Sequence, residues 1–160
     1  MNARYHSARE AFLDTVHRWF MLGVIVFGAA AVIKLFPQQH WVEAVLSALA
    51  ALLAALDLTF DLSNRARAHS LMKRRYFELL ADLDEEKKTI AEALACLNKF
   101  SADEEPVYNA LLMLCWNAAQ ESVHGDDAEA KIIPWVHRCV KNMLRLAGSN
   151  YPMKPRQTAA

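Results

Sequence analysis

The fold class this 160-residue sequence predicts is all-α: an N-terminal transmembrane helical hairpin whose second helix extends into a cytoplasmic helical body. Three observations predict it. Two apolar stretches, 19–36 and 41–60, stand side by side near the N-terminus. Only a short turn, Pro37 to His40, separates them. Beyond that turn no Pro or Gly occurs before Pro106, so nothing forbids a continuous helix from about Trp41 to Leu97.

The first stretch, WFMLGVIVFGAAAVIKLF, has Lys34 as its one charge, two positions from its end. A hydrocarbon core is spanned by about 20 apolar helical residues, and a terminal lysine can reach the interface along its own stem. The second, WVEAVLSALAALLAALDLTF, carries Glu43 and Asp57 near its two ends. Trp19, Phe36, Trp41 and Phe60 stand where an interfacial aromatic belt would place them. The same two stretches could instead be buried helices of a soluble domain, but the remaining segments are too polar to cover them. A cleaved signal peptide fits poorly, because a second apolar run follows the first directly. Arg4, Arg9 and Arg18 precede the first span, and Arg65, Arg67, Lys73, Arg74 and Arg75 follow the second, so both termini are expected in the cytoplasm.

Three segments follow from this reading: a membrane hairpin over 1–62, a cytoplasmic helical domain over 63–148, and a flexible basic tail over 149–160. Within the domain, Tyr76, Leu80, Leu83, Ile90, Leu94 and Leu97, with Lys87 the one polar intruder, alternate four- and three-residue spacings, a coiled-coil-like seam. Ser101 with Glu104 resembles a capping box for a helix starting near Asp103 and ending about Val123, with Gly125 as its stop. That helix is apolar nearly all round from Val107 to Trp116 and is expected at the centre of the body. A last helix from Pro134 to about Ala147 presents Val136, Cys139, Met143 and Leu146 on one face, with Gly148 as terminator.

Composition narrows the function. The chain has 54% apolar residues and 18 basic against 18 acidic side chains, which excludes wholesale disorder and nucleic-acid binding by bulk charge. The three cysteines form no CxxC pair, so a disulfide framework or zinc ribbon is not expected. No two of the six histidines lie three or four apart, and there is no GxSxG, Walker A or GxGxxG motif. An arginine followed by a histidine after four to six residues, the mark of one helical ribonuclease superfamily, is also missing. No catalytic residue, metal site or cofactor is expected.

The segment most suggestive of function is LDLTFDLSNRARAH, 56–69, where the second span leaves the bilayer. Asp57, Asp61 and Arg65 share one helical face, and Asp61 can pair with Arg65. A charge at the bilayer centre costs about 2.5 to 3.5 kcal/mol on insertion scales, so Asp57 should face a partner, a neighbouring subunit or a water-filled lumen, unless it lies among head groups. Lys34, Glu43, Asp57, Asp61 and Arg65 are therefore the candidate membrane or pore residues. Gly23 and Gly28 in the first span, with Ala48, Ala51 and Ala55 in the second, allow helices to approach closely, within one chain or between chains. Lys73, Arg74 and Arg75 could contact anionic head groups or RNA, or form a solvated face. Divided along the chain, the charge is uneven: 81–130 carries twelve acids and three bases, 131–160 six bases and no acid. The two could form an electrostatic latch between subunits or helices.

The layout of two early spans, a very short outer turn and a helix continuing into a small helical body resembles the SLATT family, two-transmembrane effectors of bacterial nucleotide-signalling conflict systems. RYHSAREAFLDTVHRW, 4–19, and the 56–69 exit carry the likeness, which runs to about Leu97. The resemblance implies an oligomeric effector of the bacterial inner membrane, pore-forming or membrane-perturbing, acting in antiphage defence. No nucleotide-sensing domain is fused to this chain, so its trigger would be a separate sensor protein or a nucleotide signal. The partners implied are the lipid bilayer and further copies of the chain, with no specific nucleic acid. The alternatives are a membrane-anchored adaptor that binds a cytoplasmic partner and a phage-type lysis or membrane-remodelling protein.

Overall fold

The computed structural model describes residues 1–32, 40–125 and 128–154, and every regular element among them is helical. Helix α1 spans Asn2–Val32, α2 His40–Phe60, α3 Leu62–Asp84, α4 Ile90–Asp103, α5 Asn109–His124 and α6 Trp135–Cys139. One isolated antiparallel bridge joins Lys131 to Met153. The chain divides into two compact units, one of residues Arg9–His69 and one of Met1–Ala8 with Ser70–Ala160. The division falls inside α1 and α3, away from the segment boundary near residue 62 that the sequence suggests. Lys34, Phe36 and most of the turn at 37–40 lie outside the described residues.

In the Arg9–His69 unit, Leu13 is buried with Leu62 and Ala66, and Phe12, Val16 and Phe20 pack against them. Farther along, a Cβ built on Gly23 would come within 2.6 Å of Leu53 Cδ1, so any larger residue there would have to push the Leu53 side chain aside. On α2 the half-buried positions Val42, Leu46, Ala50, Leu53 and Asp57 recur at helical spacing and form one face. The exposed residues Ala44, Ala48, Ala51, Ala55 and Leu58 lie on the opposite face. Arg9, 2% exposed, holds its guanidinium 5.7 Å from the Phe12 ring centre.

The continuous helix expected from Trp41 to Leu97 is interrupted twice. Asp61 adopts φ 48, and its carboxylate accepts from Asn64 Nδ2 at 2.8 and 3.1 Å. Aspartate tolerates this left-handed geometry better than most residues because its short polar chain bonds locally. The second break, 85–89, includes Glu86 at φ 56 and ends in a capping box. Thr89 Oγ1 accepts from the Glu92 amide, and the Glu92 carboxylate accepts from the Thr89 amide. These bonds satisfy donors that a helix start would otherwise leave unpaired.

The second break overturns the coiled-coil seam. Tyr76 is buried and meets Phe100 edge to face at 5.4 Å, so α3 and α4 run back along each other, while Leu80, Ile90 and Leu94 are exposed. The capping box expected at Ser101 and Glu104 is also absent. Ser101 lies within α4, and Glu104 is its extended C-cap, two residues before Pro106. Helix α5 accordingly starts at Asn109, not near Asp103, and stops at Gly125, φ 55, as the sequence predicts.

Helix α5 organises the larger unit. Leu111 and Cys115 are buried with Tyr5 of the N-terminal turn, and Ala110 is buried with Ile133 and Tyr151. The last helix is only Trp135–Cys139, not Pro134 to Ala147. Asn109 draws the later chain off the helical path: its amide donates to Arg145 O at 3.1 Å and its side chain to Ser149 O at 2.8 Å. Of the residues expected to share one face of that helix, Val136, Cys139 and Met143 are exposed, and Leu146 packs against the Ala110, Ile133 and Tyr151 cluster. The tail expected to be flexible from Ser149 is instead folded as far as Lys154. Tyr151 is buried, and Ile132 N donates to Pro152 O at 2.9 Å. Residues 155–160 lie outside the described ones.

Candidate functional site

Two helical stretches are long and apolar enough to cross a membrane: Asn2–Ala30, and the run His40–Asp84 that contains α2 and α3. Only 6% of the most apolar window in each is buried within the chain. Trp19, Ile25, Trp41, Leu52 and, at 83%, Leu58 are exposed. Each large apolar side chain left in water forgoes about 1.5 to 3 kcal/mol of burial, and soluble monomers rarely expose contiguous apolar surface on this scale. The core of a soluble helical domain would show the reverse burial.

Asp57 has a partner inside the chain. Its Oδ1 lies 2.8 Å from His17 Nδ1, with the two side chains 16% and 28% exposed. It sits on the face of α2 that carries Leu53, whose contact is Gly23 on α1. Two candidate pore residues thus separate: Asp57 turns toward α1, while Asp61, at the break after α2, is exposed and holds Asn64. The partner found for Asp61 is Asn64, where the sequence suggests Arg65. Glu43 lies near His40, 3.9 Å from its Nδ1, and its other oxygen is buried with no hydrogen-bond partner among the described residues. Lys34 lies outside the described residues.

The small residues divide in the same way. Gly23 packs at the α1–α2 contact, but a Cβ on Gly28 would meet nothing within 4 Å. Ala48, Ala51 and Ala55 are all exposed, on the side of α2 away from Leu53 and Asp57. Their close-packing capacity is unused within one chain.

In the larger unit, Arg74 Nε donates to Glu78 at 2.7 Å, and Arg75 Nη1 to Asp103 at 3.0 Å and more weakly to Met72 Sδ. Two members of the basic trio are thus neutralised by neighbouring acids, while Lys73 is half-buried.

A polar cluster that sequence reading missed lies in the same unit. Glu104 Oε1 accepts a short hydrogen bond from the Tyr76 hydroxyl and lies 3.1 Å from His6 Nε2. Asn2 Nδ2 donates to the Tyr76 oxygen at 3.1 Å, and the His6 ring stacks on Tyr76. Burial, with the Glu104 hydrogen bond adding to it, pushes the Tyr76 hydroxyl up to about 12. Nearby, burial raises the Cys115 thiol, which keeps it protonated and poorly nucleophilic. The backbone amide and then the hydroxyl of Thr89 hold Glu92 below the usual carboxylate range. Among the described residues no group of His, Cys, Asp or Glu is placed to hold a metal ion.

Set against known proteins, the chain matches no protein-family model, no curated protein and no solved structure.

Proposed function

We propose that the chain is a homo-oligomeric membrane effector of the SLATT type. In this reading α1 and α2 form a transmembrane hairpin with both termini in the cytoplasm of a bacterium, and assembly perforates or perturbs the inner membrane in antiphage defence. One observation carries the membrane part: among the described residues only 6% of the most apolar window of each long helical stretch is buried. The contacts His17–Asp57 and Gly23–Leu53, nested in sequence around Pro37, support the hairpin. The exposed Ala48, Ala51 and Ala55 support assembly, because small residues facing lipid forgo the contact that makes them useful between helices. The defence role rests on the resemblance of 4–19 and 56–69 to that family.

Reconstitution tests this reading. Purified chain should run as an oligomer in detergent and release a trapped dye from vesicles as the protein-to-lipid ratio rises. A monomer that releases none overturns it.

A second reading, a membrane-anchored adaptor, is favoured by the His17–Asp57 pair, since an acid hydrogen-bonded inside the chain does not need to line a water path. Replacing Asp57 and Asp61 with Leu separates the two. Conductance or toxicity is lost if the chain perforates the bilayer; anchoring and partner binding persist if it is only tethered there.

A further inference from the structure

We infer that two opposite-charged apolar patches on the Met1–Ala8 and Ser70–Ala160 unit dock onto each other between copies of this chain, head to tail. This rests on the homo-oligomeric reading above and names the surface that would join the copies.

The first patch is acidic. Helical spacing puts Phe77, Leu80 and Asp84 on one flank of α3 and Ile90 with Leu94 on one face of α4. Because the helices run antiparallel about the Tyr76–Phe100 contact, both faces emerge on the same side of the pair. The four apolar residues are exposed, Ile90 at 77%. Residues 77–94 carry six acids and two lysines, a net −4. Asp82 is bonded to Lys88, Lys87 to Glu85, and Glu78 to Arg74. Asp84 and Glu86 are left exposed, with no ion pair among the described residues.

The second patch is basic. Trp135, 75% exposed, and the exposed Met143 and Leu144 lie within one segment, 135–145, that turns back on itself at Val140. Residues 131–145 hold Lys131, Arg138, Lys141 and Arg145 and no acid, a net +4. Arg138, Lys141 and Arg145 make no ion pair among the described residues. Among the described residues, then, these three cations are not latched to the acidic segment of their own chain.

An exposed aromatic flanked by unpaired cations fits an apolar surface flanked by unpaired acids. Like charges rule out either patch meeting its own copy. Joining the first patch of one copy to the second of the next is a heterologous contact, which closes into a ring or propagates.

Site-directed cross-linking of the full chain tests this. Cys139 is exposed beside the basic patch, and Ala91→Cys, with Cys96→Ser, supplies its counterpart on α4. A bis-maleimide should give dimers and a ladder above them. Arg138→Glu with Arg145→Glu, or Asp84→Lys with Glu86→Lys, should each cut the ladder by about tenfold or more, and all four changes in one chain should restore it. A ladder indifferent to these reversals overturns the inference. So does an oligomer by light scattering that yields no ladder, which leaves the membrane reading intact. So does quenching of Trp135, kept as the sole tryptophan, by brominated anionic lipid without a ladder, which makes the patch a lipid contact. A ladder from a chain that releases no dye supports the interface and sinks the pore.

Discussion

His17 Nδ1 and Asp57 Oδ1 lie 2.8 Å apart between α1 and α2, where each apolar helix meets a more polar segment. Removing one partner strands the other, partly shielded from water; removing both leaves an apolar contact. Single His17→Leu and Asp57→Leu changes should each destabilise the chain by about 1 to 3 kcal/mol, and the double variant by clearly less than their sum. Thermal unfolding in detergent, run as a double-mutant cycle, measures the coupling. Strict additivity would show that the pair contributes nothing.

The two glycines of α1 should behave differently. Gly23→Ala drives a methyl into Leu53 and should cost about 1 to 3 kcal/mol, with Leu53→Ala in the same chain relieving the clash. Gly28→Ala meets nothing and should be neutral or stabilising by up to about 1 kcal/mol. Paired melting curves decide it.

Thr89→Ala removes the capping box at the head of α4 and should cost about 1 kcal/mol, whereas Thr89→Ser should retain most of it. Loss of amide protection in the first turn of α4, read by hydrogen exchange, would localise the effect.

The raised hydroxyl of Tyr76 makes alkaline stability diagnostic. Below pH 10 the group is protonated whether the chain is folded or not, and the stabilisation is complete. Between about 10 and 12 the unfolded chain releases this proton while the folded chain retains it, so stability falls as pH rises. The melting temperature should decline across this window more steeply in the parent than in Tyr76→Phe. Identical slopes would remove Tyr76 from the account.

The helices and the two apolar stretches were legible in the sequence because period and length alone define them. The breaks were not, because the search for them was a search for Pro and Gly. At 85–89 the interruption is written as Thr89-Ile-Ala-Glu92, a capping pattern inside a sequence that otherwise permits helix, and at Asp61 it is a single left-handed residue. His17 reads as one histidine among six, yet it stands as far before Pro37 as Asp57 stands after it. That symmetry was available from the numbering. The cluster of His6, Tyr76 and Glu104 was not, since nothing local ties positions 28 and 98 residues apart.

The folded C-terminal strap bears on how this protein should be cut and tagged. A clone ended at Gly148, where the helical pattern of the sequence stops, would discard Tyr151, the plug over Ala110 and Ile133, together with the acceptor oxygens of Ser149 and Pro152. Such a truncation should lower solubility and expose α5 to proteases, although it removes only twelve residues. A fusion partner or affinity handle belongs beyond the Tyr151–Pro152 strap and not at Gly148.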